Sequence, residues 1–278
     1  MLVYFNGNFI EKKEVHISPD DRGFLFGDGV YEVMRVYHGE LFRADEHLER
    51  LARSLREMRI DDVDVPNIKT IAQELIRENE LSGDATVYFQ VTRGGAPRRH
   101  AFPDPGTPPT VYIAATPFTP PVKKWESGIK VILVPDMRWA RCDIKSIALA
   151  PNVLANQQAH EHGADEAIFV RNGVITEGSH SNFAAVFQGQ LVTHPLTNYI
   201  LPGITRLVVL ELCAKLNIQV KEFPIFESEL KQADELMILG TTTEVMPVRQ
   251  VDEWHVGNGQ PGLVTRQLQQ AFREIARR

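Results

Sequence analysis

Apolar positions along this chain follow two periods in turn. In the opening stretch they flank Asn6-Gly7, a dipeptide that accepts the positive φ of a tight turn, and so predict two paired strands. After Asp45 the period lengthens. Leu48, Leu51, Leu55 and Met58 predict one helix, with Asp45 accepting from the amides of its first turn, and Ile68, Ile71, Leu75 and Ile76 predict another over about 67–79. TVYFQVTR reads as a buried strand, and a short strand follows over 110–115. Further on come a strand near 129–134, hairpins at Asn172-Gly173 and Gln188-Gly189, helices near 151–162, 204–216 and 263–276, and a short one around 227–232. The pattern is that of an α+β chain.

Prolines at 105, 108, 109, 117, 120 and 121 interrupt this pattern, and proline cannot donate to a central ladder, so TPFTPPV is the candidate linker. The expected organisation is a small N-terminal α+β domain over 1–119 and a larger C-terminal α+β domain over 120–278, with the active site between them. The chain has 278 residues and a formal charge of -6, which speaks against a general nucleic-acid surface. Cys142 and Cys213 are far apart and form no metal-ligand spacing, so no metal is expected. The opening sequence lacks the features of an export signal and no run approaches membrane-spanning length, so the expected location is the cytoplasm.

Four segments carry candidate chemistry. Lys145, in CDIKSIALAPN, sits among small and apolar residues; an amine drawn out of water there becomes an effective nucleophile and base, although most lysines are solvated. Glu177, in ITEGSHSN, ends a hairpin strand before small polar residues that can turn the chain. A buried carboxylate there could accept a charge-assisted hydrogen bond from a protonated ring nitrogen, where an ordinary turn glutamate would be solvated. In LPGITRLVVL, Gly203 precedes Ile204 and Thr205 at the start of an apolar helix, whose unpaired amides suit a phosphate as well as they suit a plain cap. The MILGTTTE run offers the hydroxyl and amide of Thr241 as a second set of donors.

Taken together and in this order, these segments and RGFLFGDGVYEV resemble the fold type IV pyridoxal-phosphate enzymes: branched-chain aminotransferases, D-amino-acid transaminases and aminodeoxychorismate lyases. The resemblance spans essentially the whole chain. It implies a two-domain α+β fold with pyridoxal 5'-phosphate as cofactor, and Lys145 as both the Schiff-base lysine and the general acid/base. It further implies Glu177 on the pyridine nitrogen, and Ile204, Thr205, Thr241 and Arg50 on the phosphate. VTRGGAPRRHAFP resembles the D-amino-acid transaminase pattern, which implies that Arg98, His100 and Tyr31 hold the substrate α-carboxylate. In that subfamily the arginine and histidine reach the neighbouring subunit's site, so a homodimer is implied. His180 and Gly240 depart from the pattern, at positions where serine and a hydroxyl residue respectively are common.

The expected activity is ping-pong transamination between D-amino acids, such as D-alanine or D-glutamate, and 2-oxo acids. One alternative is a branched-chain L-amino-acid aminotransferase or an aminodeoxychorismate lyase on the same fold. Another is an anion-binding protein that keeps the fold without the cofactor; the joint presence of Lys145 and Glu177 speaks against it.

Overall fold

The computed structural model describes residues 1–276. Contacts divide the chain into two compact units, Met1–Thr119 with Ile144–Leu149, and Pro120–Asp143 with the chain from Ala150 onward.

The first unit contains β1 (Leu2–Phe5), β2 (Asn8–Glu11), α1 (Arg22–Phe26), β3 (Gly29–Tyr37), β4 (Glu40–Leu41), α2 (Ala44–Met58), α3 (Val65–Glu78), β5 (Ala85–Thr92) and β6 (Thr110–Pro117). Its six strands form an antiparallel sheet in the order β2-β1-β6-β5-β3-β4. Asn6 and Gly7 take the positive φ that the first hairpin needs. Strand periodicity decides what faces the core: Ala85, Val87, Phe89 and Val91 of β5 and Val30, Met34 and Val36 of β3 alternate inward, against Leu48, Leu51 and Leu55 of α2 and Ile68, Ala72 and Leu75 of α3. Each large apolar side chain buried there stabilises the fold by roughly 1.5–3 kcal/mol. Glu32 falls on the same inward period of β3 and is fully buried.

Two expectations are corrected here. Asp45 does not cap α2: Arg43, in the left-handed region, holds the N-cap position, so Asp45 lies inside the first turn and binds Lys69 at 2.7 Å. The segment with Lys145, placed by the sequence reading in the C-terminal part, groups with the first unit instead. The Lys145 carbonyl accepts from Tyr31 N at 3.0 Å, Ile147 N donates to Gly29 O at 3.1 Å, and Val30 bridges Ser146, so this stretch runs along the start of β3.

The second unit comprises α4 (Val122–Ser127), β7 (Ile129–Pro135), α5 (Ala150–Glu161), β8 (Glu166–Arg171), β9 (Val174–Gly178), β10 (Asn182–Phe187), β11 (Gln190–Thr193), α6 (Ile204–Lys215), β12 (Val220–Glu222), β13 (Ile225–Phe226), β14 (Glu235–Gly240), β15 (Glu244–Val251), β16 (Trp254–His255) and α7 (Leu263–Ala276). The two expected hairpins join β8 to β9 and β10 to β11; the short segment at Glu227–Gln232 is a 3-10 helix. The sheet runs β12-β11-β10-β14-β15-β7-β8-β9-β13, and β10 also pairs with β9, so six strands from β10 round to β9 close on themselves. Phe183, Ile238, Met246, Ile168 and Val131 fill the core of this unit. Glu177 and Asn182 are the residue pair at which the ring closes. Helices α6 and α7 pack on each other and on β14 and β15.

Candidate active site

In the first unit, a polar stripe on α2 meets the one acid on the inward face of β3. His47, Arg50 and Ser54 follow one another at three- and four-residue spacing and are all buried. Arg50 Nε and Nη2 donate to the two oxygens of Glu32 at 2.6 and 2.8 Å, and His47 Nδ1 lies 2.8 Å from Glu32 Oε2. Burial alone would raise the proton affinity of Glu32. The Arg50 guanidinium, helped by His47, outweighs that and holds the carboxyl well below the usual carboxylate range. Burial, together with the Arg50 and Lys145 charges, pushes His47 down despite Glu32. A neutral imidazole facing an ionised carboxylate carries its hydrogen on Nδ1 and donates it.

Ser54 links this stripe to Lys145, its Oγ accepting from Lys145 N at 3.3 Å. The half-buried Lys145 side chain lies with Nζ 4.2 Å from the centroid of the Tyr31 ring, and no carboxylate pairs with it among the described residues. Tyr31 also packs on Tyr88, ring centroids 5.9 Å apart. The structure therefore gathers Lys145, Tyr31 and Arg50, the last through Glu32 and His47. Arg98 and His100 form a separate exposed pair around Phe26, with the Arg98 guanidinium 5.2 Å and the His100 ring 5.5 Å from its centroid. Among the described residues, no hydrogen bond or ring contact joins this pair to Tyr31.

In the second unit, Glu177 is only 5% exposed. Arg138 Nη1 donates to Oε1 at 2.5 Å, and Asn182 Nδ2 and Leu201 N donate to Oε2 at 3.0 and 2.9 Å. Burial pushes this carboxyl above its ordinary value; Arg138 and the Leu201 amide oppose the shift without cancelling it. A carboxylate of raised proton affinity suits sharing a proton with a heterocyclic nitrogen.

Asn182 also brings the remaining donors near this carboxylate. Its side chain abuts Gly203, where a Cβ would overlap Oδ1, and Gly203 is the N-cap of α6. Gly203 offers no side-chain cap, which leaves the first-turn amides, including those of Ile204 and Thr205, without side-chain acceptors. In the sheet Asn182 pairs with Leu239, so the turn holding Gly240 and Thr241 leaves β14 beside the same site, and Gly240 lies against Ser181. A buried carboxylate, an uncapped helix start and threonine hydroxyls make a donor and acceptor set that fits a phosphorylated pyridine.

Sequence reasoning missed Glu32, His47, Arg138 and Asn182. The helical spacing of His47, Arg50 and Ser54 was a signal for the first two, and the inward period of Glu32 was another. Arg138 and Asn182 gave none until the strands were paired. Among the described residues no cluster of three or more His, Cys, Asp or Glu could hold a metal, and no helix is long and apolar enough to cross a membrane.

Comparison with known proteins accords with this geometry. The profile of the family described as amino-transferase class IV matches residues 29–251. A D-alanine aminotransferase of Bacillus licheniformis is 43% identical over 98% of this chain and 96% of its own length, and one of Staphylococcus haemolyticus is 43% identical over 97% and 96%. Among solved structures, the Escherichia coli branched-chain amino acid aminotransferase superposes with a TM-score of 0.92 at 29% identity, covering 99% of this chain and 94% of that one. The Thermobaculum terrenum branched-chain enzyme in its PLP-bound holo form does so with a TM-score of 0.87 at 26% identity, covering 99% and 94%. The chain thus belongs to the class IV amino-transferases and is a pyridoxal-phosphate-dependent aminotransferase of the α+β fold type IV architecture.

Proposed function

We propose that this aminotransferase moves the amino group of D-amino acids, D-alanine and D-glutamate above all, to 2-oxo acids in a ping-pong reaction. The observation that carries the substrate assignment is the Arg98 and His100 pair gathered on Phe26: a guanidinium and an imidazole offer converging donors to one carboxylate. Similarity to D-alanine aminotransferases over nearly the full length supports the same reading. The closeness of branched-chain enzymes in fold says little about substrate, because a fold hosts many specificities.

In this reading Lys145 holds pyridoxal phosphate through Nζ, Glu177 accepts from its ring nitrogen, and Ile204, Thr205, Thr241 and Arg50 hold its phosphate. The bound cofactor supplies an electron sink for the charge left on the donor's α-carbon. Once the donor's amine has displaced it from the cofactor, the free Lys145 Nζ would take the proton from that carbon; Nζ lies on the Tyr31 ring with no carboxylate paired to it among the described residues. Arg138 and Asn182 fix the Glu177 carboxylate. Glu32 fixes Arg50 in the same way.

Among the described residues the Arg98 and His100 pair makes no hydrogen bond or ring contact with Tyr31 or Lys145 of the same chain, and in this reading each chain of a homodimer lends the pair to the other. The test of substrate is a single half-reaction with each enantiomer of alanine, followed by cofactor absorbance with pyruvate measured as product. D-Alanine should react roughly a hundredfold faster or more, a stereochemical discrimination that a three-point anchored donor permits. Preference for L-alanine over D-alanine would overturn the substrate assignment.

A further inference from the structure

The stretch that carries Arg98 and His100 exposes both side chains, yet its backbone is tied down by a buried cation. Arg22, the first residue of α1, is 3% exposed. Its Nη1 donates to the Arg99 carbonyl at 2.6 Å and to the Ala101 carbonyl at 3.3 Å, and Nη2 makes a long contact of 3.5 Å to the His100 carbonyl. Three consecutive carbonyls thus converge on one guanidinium. Fixing them sets the directions in which side chains 98 and 100 leave the chain.

The chain around α1 is built to hold this arrangement. Arg22 Nε donates to Asp28 Oδ2 at 2.8 Å, and Asp28 also takes Nε and Nη2 of Arg93 at 2.8 and 3.0 Å. Arg22 N donates to the Gly94 carbonyl and Ala96 N to the Asp20 carbonyl, stitching the start of α1 to the chain that leaves β5. Gly94 has φ +86, and a Cβ there would overlap the Pro108 carbonyl, so the path admits only glycine. Phe102 closes the far end against Arg93, 3.7 Å from guanidinium carbon to ring centroid. Phe26 lies inside this frame, with Arg22 at 4.9 Å and Arg98 and His100 on its ring.

We propose that Arg22 is a positioning residue for substrate recognition: it holds the 99–101 backbone so that Arg98 and His100 present their donors to the substrate α-carboxylate. This rests on the reading of Arg98 and His100 as carboxylate ligands. Arg22 is separable from the fold around it, because Asp28 keeps both bonds to Arg93 when Arg22 is removed. What is lost is the grip on the three carbonyls.

The test compares wild-type holoenzyme with Arg22→Gln, Arg22→Lys and Arg98→Ala. The donors are alanine in the enantiomer the enzyme prefers and isopropylamine, which has the same amine but no carboxylate. Loss of charge-assisted bonds that hold the carboxylate ligands should raise KM for alanine roughly tenfold or more in both Arg22 variants, with kcat within about threefold. Turnover of isopropylamine and retention of bound cofactor should stay at the wild-type level. Arg22→Lys keeps a cation against Asp28 but lacks the fork, so it carries the comparison if Arg22→Gln fails to accumulate. Wild-type KM for alanine in the Arg22 variants, with KM raised in Arg98→Ala, would overturn the role of Arg22 alone. Unchanged KM in Arg98→Ala would overturn the carboxylate reading and this inference with it. Equal losses on both donors would show a general structural role and also overturn it.

Discussion

Replacing Glu32 by glutamine tests the electrostatic core of the first unit. Glu32 is fully buried and takes two hydrogen bonds from Arg50 and one from His47. Glutamine keeps the shape but presents one acceptor oxygen and an amide that donates towards donors, so a buried guanidinium loses its counter-charge. Breaking a buried pair from one side costs about 3–5 kcal/mol, and the retained carbonyl places the expected loss near the lower end. At roughly 2–4 °C per kcal/mol for a chain of this size, the melting temperature should fall by about 6–12 °C.

The pH dependence of this loss has a definite sign. The folded-state pKa of Glu32 lies below its ordinary value of 4.5, so its ionised form contributes stability above that value and loses it as pH falls further. Linkage then requires the gap between wild type and Glu32→Gln to be constant near neutrality and to narrow by about 1.4 kcal/mol between about pH 5.5 and 3.5. Urea denaturation of the cofactor-free proteins, followed by circular dichroism across that range, measures the gap. A gap below about 1 kcal/mol at neutral pH, or one that widens on acidification, would refute the assignment of Glu32 as the ionised partner of Arg50.

Two other perturbations probe the site. Gly203→Ala places a methyl on Asn182 Oδ1, and because Asn182 is pinned to both Glu177 and the Leu201 carbonyl, the variant should lose roughly 1–3 kcal/mol of stability and at least tenfold in cofactor affinity; titration of the cofactor-free protein with pyridoxal phosphate checks this. At alanine concentrations well below the raised KM of Arg98→Ala, this variant and Lys145→Ala are each expected to show little activity, but if the carboxylate pair serves the neighbouring chain, refolding the two variants together should restore about a quarter of wild-type activity, the share of sites with every side chain intact. No recovery above the separate variants would argue for sites served by a single chain.

Much of the architecture was legible because local chemistry and tertiary structure agree. Asn6-Gly7, Asn172-Gly173 and the stripe of Ile68, Ile71, Leu75 and Ile76 each form what their spacing predicts. Asp45 misled because a good capping residue inside the first turn looks the same in sequence as one at its edge, and the left-handed conformation of Arg43 decides between them. The return of Ile144–Leu149 to the first unit was hidden because it depends on hydrogen bonds to Gly29 and Tyr31 across more than a hundred residues of chain. The roles proposed for Lys145 and Glu177 rest on resemblance to a family. Their partners followed from geometry: nothing in the sequence near Glu177 announces Arg138, and Arg50 looks like any helix-face charge until β3 brings Glu32 beneath it.

The assignment of Lys145 as the residue that holds the cofactor is decided by reducing the cofactor-saturated protein with borohydride and mapping its peptides by mass spectrometry. The added pyridoxyl mass should appear on the peptide that contains Lys145, and Lys145→Ala should neither carry that mass nor show the near-visible absorbance of the holoenzyme. A label on a different lysine, or an unchanged absorbance in Lys145→Ala, would contradict the account.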